Sequence, residues 1–249
     1  MMDGNPFGGV RTDLRGPDQL RPVTLQLDIA PAATGSCLIS FGKTQVICGV
    51  TIEDKIPPWM RYQKIPGGWL TAEYTMLPYS TDERSQRQGA KPNGRSMEIQ
   101  RLIGRSLRAA LDMKKLGQRT VWIDCDVLRA DGGTRTAAIT GGYVALSLAI
   151  RKLITEGKLK QDPLIEQIAA ISVGIVQGTP MLDLCYEEDV AASTDTNTVM
   201  TAKGNFIEVQ GTAEDGAYSR QELNAMLELA EKGCAELVEI QRNALNLNS

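Results

Sequence analysis

The chain has 249 residues, 42% of them hydrophobic and 23% charged, with a formal net charge of −3. That composition supports a sizeable core and argues against general disorder and against a uniformly basic nucleic-acid coat, while leaving room for a local basic groove. There is no histidine, which removes Ser-His-Asp and Cys-His arrangements and the usual zinc hydrolases, so any chemistry must use carboxylates, arginine, lysine, backbone amides or a hard metal.

Residues 1–9, MMDGNPFGG, have no periodicity and read as a flexible lead-in. Arg11, Arg15 and Arg21 follow in a loop-like stretch. Val23 to Leu27 alternates as a strand. Gly35 to Phe41 and Thr44 to Thr51 flank Gly42-Lys43 as a hairpin. Lys55 to Gly68 is proline- and glycine-rich and reads as a loop. Thr71 to Pro78 is short and apolar. The stretch STDERSQRQGAKPNGRS after it has no hydrophobic anchor and reads as a long polar loop carrying Arg84, Arg87, Lys91 and Arg95. Met97 to Met113 has a helical apolar stripe, with Arg101, Arg105 and Arg108 sharing another face. Gly117 closes that element.

Thr120 to Leu128 alternates, with Val121, Ile123, Cys125 and Val127 on one side and Trp122, Asp124, Asp126 and Leu128 on the other. Ala137 to Leu153 predicts an apolar helix whose small residues permit close packing on a sheet. Ile168 to Val176 and Pro180 to Tyr186 form a second hairpin about Gln177-Gly178. Phe206 to Gln210 is a further short strand. Ser219 to Glu222 matches a capping box opening a helix that runs to about Gln241. Residues 245–249 are a short polar tail. Strands and hairpins mixed with helices favour an α+β fold. The five cysteines form no C-x-x-C pair and read as buried thiols in a reduced compartment. With no apolar run of transmembrane length and no signal-peptide regions, the expected location is cytoplasmic, with no membrane partner.

Two stretches carry candidate chemistry. In LRADGGTRTAAIT (128–140), Gly132 and Gly133 allow a sharp turn and a close approach. Gly133, Thr134 and Arg135 then offer successive amides, a hydroxyl and a guanidinium before a helix that starts near Thr136, which suits a tetrahedral oxyanion. A structural turn is the competing reading. Arg95, after Asn93-Gly94, sits at a second helix start. The other stretch places Glu187, Glu188, Asp189 and Asp195 close together at the end of an apolar strand. It reads either as an acidic surface turn or as a magnesium site. Phosphate, cation and carboxylates together suit phosphoryl transfer.

At these residues the chain resembles the ribonuclease PH family, bacterial phosphate-dependent 3'-to-5' exoribonucleases that trim tRNA ends. The matching stretches are QLRPV at 19–23, GWLTAEYTMLP at 68–78, GRSMEIQRLIGRSLRA at 94–109, DCDVLRADGGTRTAAITG at 124–141, AAISVGIV at 169–176, EEDVAASTDTNTVMT at 187–201 and IEVQGTAE at 207–214. The resemblance implies a fold like domain 2 of ribosomal protein S5, with a left-handed β-α-β crossover, and one catalytic domain over residues 10–244. It implies inorganic phosphate as co-substrate, bound by Arg95, Gly133, Thr134 and Arg135. It also implies Mg2+ on Asp189 and Asp195, which with Arg135 form the catalytic set. Arg84, Arg87 and Arg108 are expected to guide RNA, tRNA precursor 3' ends above all, and the assembly is expected to be a homohexamer built as a trimer of dimers. A catalytically silent RNA-binding ring subunit and a magnesium-dependent hydrolytic nuclease are the alternatives. One departure stands out: the family's Asp-Gly-Arg is Asp13-Leu14-Arg15 here, and leucine is expected to remove left-handed backbone freedom at that point.

Overall fold

The computed structural model describes residues 11–87, 93–214 and 216–246. The lead-in of residues 1–9, Lys91 in the polar loop and residues 247–249 of the tail lie outside them. β1 (Val23–Leu27), β2 (Gly35–Phe41) and β3 (Thr44–Glu53) form an antiparallel meander. The loop after them holds one short helix, α1 (Pro58–Tyr62), started by its prolines. β4 (Trp69–Met76), α2 (Gly94–Arg108), α3 (Met113–Leu116) and β5 (Thr120–Arg129) form a β-α-β unit whose strands pair in parallel. The first sheet has the order β1-β2-β3-β5-β4. β5 buries Val121, Ile123, Cys125 and Val127 and turns Trp122, Asp124 and Asp126 outward, as its alternation predicts.

The helix expected over 97–113 is displaced: it begins at Gly94, capped by Asn93, and stops at Arg108. A turn follows in which Leu111 bridges to Leu164 and the Asp112 carboxylate caps α3. Long-range pairing thus overrides a continuous apolar stripe.

α4 (Thr134–Thr155) crosses from the first sheet to a second one built from β6 (Ile168–Val176), β7 (Thr179–Leu182), β8 (Ala192–Thr201) and β9 (Phe206–Ala213), in the order β7-β6-β8-β9. Between β7 and β8 lies α5 (Tyr186–Ala191), and α6 (Arg220–Ala244) closes the chain. β8 is absent from the sequence-level expectations, because its polar residues Ser193, Asp195 and Asn197 alternate with threonines rather than large apolar residues. β6 is buried throughout; α4 meets its backbone where the Thr140 hydroxyl bonds the Ala170 amide and carbonyl, and α6 meets it where the Cys234 thiol donates to the Ala169 carbonyl. Gln241, fully buried on α6, donates to the Thr140 and Ile168 carbonyls and so ties α4, β6 and α6 together. α4 is long and apolar enough to cross a membrane, but 78% of its apolar window is buried between the sheets. One apolar cluster runs through both sheets. The five cysteines are buried free thiols.

Candidate active site

The first turn of α4 is the centre of the site. Gly132 and Gly133 have φ of +73° and +67°, the left-handed region glycine tolerates. Gly133 is the N-cap, so α4 starts at Thr134, two residues earlier than expected, and the Thr136 hydroxyl donates to the Gly133 carbonyl at 2.9 Å. The opening amides of α4 are therefore those of Thr134, Arg135 and Thr136. A Cβ on Gly132 would stand 2.7 Å from the Cys185 carbonyl carbon and closer still to the Leu184 oxygen. The loop before α4 is thus pressed against the turn that opens α5.

Arg135 projects from this first turn and leans on Glu98 of α2, at 3.4 Å, and on Gln210 of β9. Arg95 is exposed in the first turn of α2. The Thr134 hydroxyl shares a 2.8 Å hydrogen bond with the Tyr74 hydroxyl. Burial raises the Tyr74 pKa, against lowering by the Thr134 bond and by nearby Arg95 and Arg135. The two arginines expected at helix starts therefore both lie within electrostatic reach of Tyr74. Tyr74 was not legible as a site residue, since its strand alternation reads as core.

The acidic stretch divides. Asp189 lies on α5 and Asp195 on β8. Asp195 pairs in register with Gly174 and Asn197 with Ser172, whose hydroxyl stands 3.6 Å from the position a Gly133 Cβ would take. Paired residues share a sheet face, so Asp195 lies on the face that meets the α4 loop. Ser172 Oγ is buried there without a hydrogen-bond partner. The Asp189 pKa is raised, first by burial and then by Asp195, while Arg95 and Arg135 pull it down and Glu214 adds to the rise. Asp189 is exposed, so solvent screens these interactions. Arg95, Arg135 and Asp195 thus all lie within electrostatic reach of Asp189.

Glu188 belongs to a different assembly. Its carboxylate takes both prongs of buried Arg11, at 2.7 and 2.6 Å, and accepts from the Cys185 amide. Asp183, fully buried, takes both prongs of Arg21, at 3.0 and 2.7 Å, and also the Arg21 amide. Arg21 donates onward to the carbonyls of Asp131 and Gly132. Arg15 pairs with Asp13 and lies 3.7 Å from Asp183 and 3.8 Å from Glu188. Burial lowers the Arg21 pKa, but Asp183 outweighs it and the net direction is upward. The loop-like stretch at 11–21 is riveted into the molecule through these pairings. Leu14 takes a φ of +64° even so, against expectation, while its side chain is 82% exposed.

Arg84 and Arg87 are exposed on the polar loop. Arg108 is not brought to this pocket. It sits at the far end of α2, about 20 Å along the helix from Arg95, stacked 4.7 Å over Trp69 and donating to the Leu70 carbonyl. Arg105 pairs with Glu208.

No group of three or more carboxylate, cysteine or histidine ligands gathers among the described residues. Two facing carboxylates suffice for magnesium, which keeps waters and takes substrate oxygens as its remaining ligands. Asp189 and Asp195 fit that requirement, because Asp195 raises the cost of charge on Asp189 and a cation would lower it.

Comparison with known proteins shows the family. Residues 19–151 match the model of the 3' exoribonuclease family, domain 1, and residues 166–233 that of domain 2. The chain is 53% identical over 236 residues to ribonuclease PH of Bacillus pumilus, covering 94% of this chain and 97% of that one. It is 52% identical over 240 residues to ribonuclease PH of Bacillus subtilis, covering 95% and 97%. Among solved structures, rice (Oryza sativa) Rrp46 superposes with a TM-score of 0.76 at 18% identity, covering 95% of this chain and all of that one. The Archaeoglobus fulgidus exosome with RNA bound to its active site gives 0.76 at 22%, covering 92% of each chain. These likenesses show the fold, of the ribosomal protein S5 domain 2 type expected from the sequence. With both domain models matched in order and half of all positions shared with its relatives, the chain belongs to the 3' exoribonuclease family.

Proposed function

We propose that this chain is a phosphate-dependent 3'-to-5' exoribonuclease, a tRNA nucleotidyltransferase that converts RNA(n) and phosphate into RNA(n−1) and a nucleoside 5'-diphosphate at tRNA precursor 3' ends. The observation that carries this reading is the meeting of Arg95 and Arg135 with Asp189 and Asp195 at the opening of α4, in a chain 53% identical to a ribonuclease PH.

The α4 amides and Arg135 hold inorganic phosphate, and Arg95 offsets repulsion between it and the scissile diester. A phosphate oxygen then attacks the terminal phosphorus. The new P–O bond forms as the bond to the preceding 3' oxygen breaks, and that oxygen leaves with a proton. Phosphate is already a competent nucleophile near neutral pH, so no histidine is needed. Asp189 and Asp195 would hold magnesium, which would stabilise the charge that develops at phosphorus and on the leaving oxygen. Burial and Asp195 raise the Asp189 pKa, the direction that would let it relay to the leaving oxygen the proton that hydrogen phosphate gives up as it attacks. Tyr74 fixes the Thr134 hydroxyl, and so orients one of the donors. Glu98 and Gln210 hold the Arg135 guanidinium until phosphate takes their place.

The proposed assembly is a homohexameric ring, a trimer of dimers. An archaeal exosome core among the structural neighbours supports it, with a TM-score of 0.75 at 22% identity over 94% of this chain and 92% of that one. In such a ring the exposed Arg84 and Arg87 reach RNA at a neighbouring subunit. Arg108, remote from its own pocket, acts across the same boundary. The proposed location is cytoplasmic, which suits five unpaired thiols.

The test is direct. RNA incubated with the protein and magnesium should release nucleoside 5'-diphosphates only when inorganic phosphate is present. Nucleoside monophosphates in both the presence and absence of phosphate would identify a hydrolase and overturn the reading.

A further inference from the structure

We propose that Arg21 is a positioning residue for phosphate: it sets the spacing between the loop of residues 131–133 and the turn that carries Asp189, without touching phosphate or RNA. This rests on the phosphorolytic reading and deepens it.

The argument starts from what the two halves of the site are attached to. The phosphate hand opens α4, which is anchored in the first sheet by its preceding strand, β5. Asp189 rides on α5, which hangs from β7 in the second sheet. The two are distinct loops from distinct sheets, and the reaction needs them in one register. Arg21 joins them. Its side chain is 3% exposed and that of Asp183 is wholly buried. On one side it grips both Asp183 oxygens, three residues before α5 begins. On the other it donates to the carbonyls of Asp131 and Gly132, immediately before Gly133 caps α4. Holding those carbonyls fixes the backbone that leads into Gly133 and the first turn of α4. Gly133 itself passes so close that a Cβ there would stand 3.2 Å from the Arg21 guanidinium.

The planar fork is specific to arginine. Four acceptors lie around one guanidinium, and a lysine ammonium has three donors at a single point and cannot span them. Thr44 is the second hand on the same loop. Its buried hydroxyl donates to the Gly132 carbonyl at 2.7 Å and accepts from the Asp131 amide at 2.9 Å. It does so without any bond to the ion-pair network, so it provides an independent handle on loop position.

The experiment uses the full chain as wild type, Arg21→Lys and Thr44→Val. The readouts are KM for phosphate and kcat for nucleoside diphosphate release, RNA affinity by fluorescence anisotropy, and inorganic phosphate binding by calorimetry. A misplacement near 1 Å costs about 10²-fold in rate, so Arg21→Lys should lose roughly that in kcat and raise the phosphate KM at least ~10-fold, with RNA affinity held within ~2-fold. Thr44→Val should move the phosphate KM in the same direction by a smaller factor. Wild-type phosphate KM and kcat in Arg21→Lys would overturn the proposal. So would parallel loss of RNA and phosphate binding, which marks a general folding defect. If Arg21→Lys does not fold, Thr44→Val decides, and an unchanged phosphate KM overturns the proposal. If the wild type releases no nucleoside diphosphate, the functional reading fails separately. Calorimetry still tests Arg21 in that case, because equal phosphate affinity in wild type and variants rules the role out.

Discussion

Gly132→Ala isolates the closeness of the two loops. At φ +73° an alanine carries a left-handed penalty of about 1–2 kcal/mol. Its Cβ would also meet backbone, 2.7 Å from the Cys185 carbonyl carbon and 3.0 Å from its Cα. Backbone cannot swing aside as a side chain can, so the turn before α5 must shift by something near 1 Å to restore ordinary contact. Overpacking of that kind costs about 1–3 kcal/mol more. The sum is roughly 2–5 kcal/mol. Gly178→Ala is the control: its φ is +77°, but a Cβ there meets nothing within 4 Å, so only the backbone penalty applies. Thermal unfolding should place Gly132→Ala below Gly178→Ala by about 2–12 °C, since the overpacking alone separates them and 1 kcal/mol is about 2–4 °C at this chain length. In the phosphorolysis assay, Gly132→Ala should lose about 10²-fold in kcat while Gly178→Ala keeps it. Equal melting temperatures together with equal kcat would refute the claim that the α4 loop and the α5 turn are in hard contact.

Other substitutions address single groups. Arg135→Ala removes a charge-assisted donor and should raise the phosphate KM about 10- to 100-fold; an unchanged phosphate dependence would remove Arg135 from the phosphate site. Asp189→Asn should stabilise the metal-free protein at neutral pH by about 1–2 °C, a small effect because the group keeps solvent contact. The sign follows from its raised folded-state pKa: ionised Asp189 opposes folding at neutral pH, and that penalty disappears as pH falls and the carboxyl takes a proton. The gain should therefore shrink in acid, and a gain that grows there would contradict the assignment. Leu14→Gly should stabilise the chain by about 0.5–1 kcal/mol, as relief of the left-handed backbone exceeds glycine's added freedom in the unfolded state. A lower melting temperature for that variant would mean that the exposed leucine side chain makes a contact of its own.

Much of the fold was legible because its signals are local. The alternation of β5, the capping box at Ser219 and the Gly132-Gly133 turn depend on neighbours within a few positions, and each lies where the sequence placed it. Where tertiary pairing competes with a local pattern, the sequence misled. The stripe through Met113 breaks because Leu111 bridges to Leu164, and Thr-rich β8 is a central strand because β6 and β9 flank it.

The candidate site divides in the same way. The residue types at 95, 133–135, 189 and 195 are visible in the chain, since anion-binding turns and carboxylate clusters are short-range patterns. Which acidic residues were already spoken for was not. Glu188 is bonded to Arg11 across 177 positions, and Asp183 to Arg21 across 162. Linear order holds no information on such pairings, because a charge interacts with whatever the packed core brings beside it. The sequence alone determined the chemical groups available; only tertiary packing decided that Glu188 is a strut, that Asp189 comes within reach of Asp195 and both arginines, and that Arg108 stands apart.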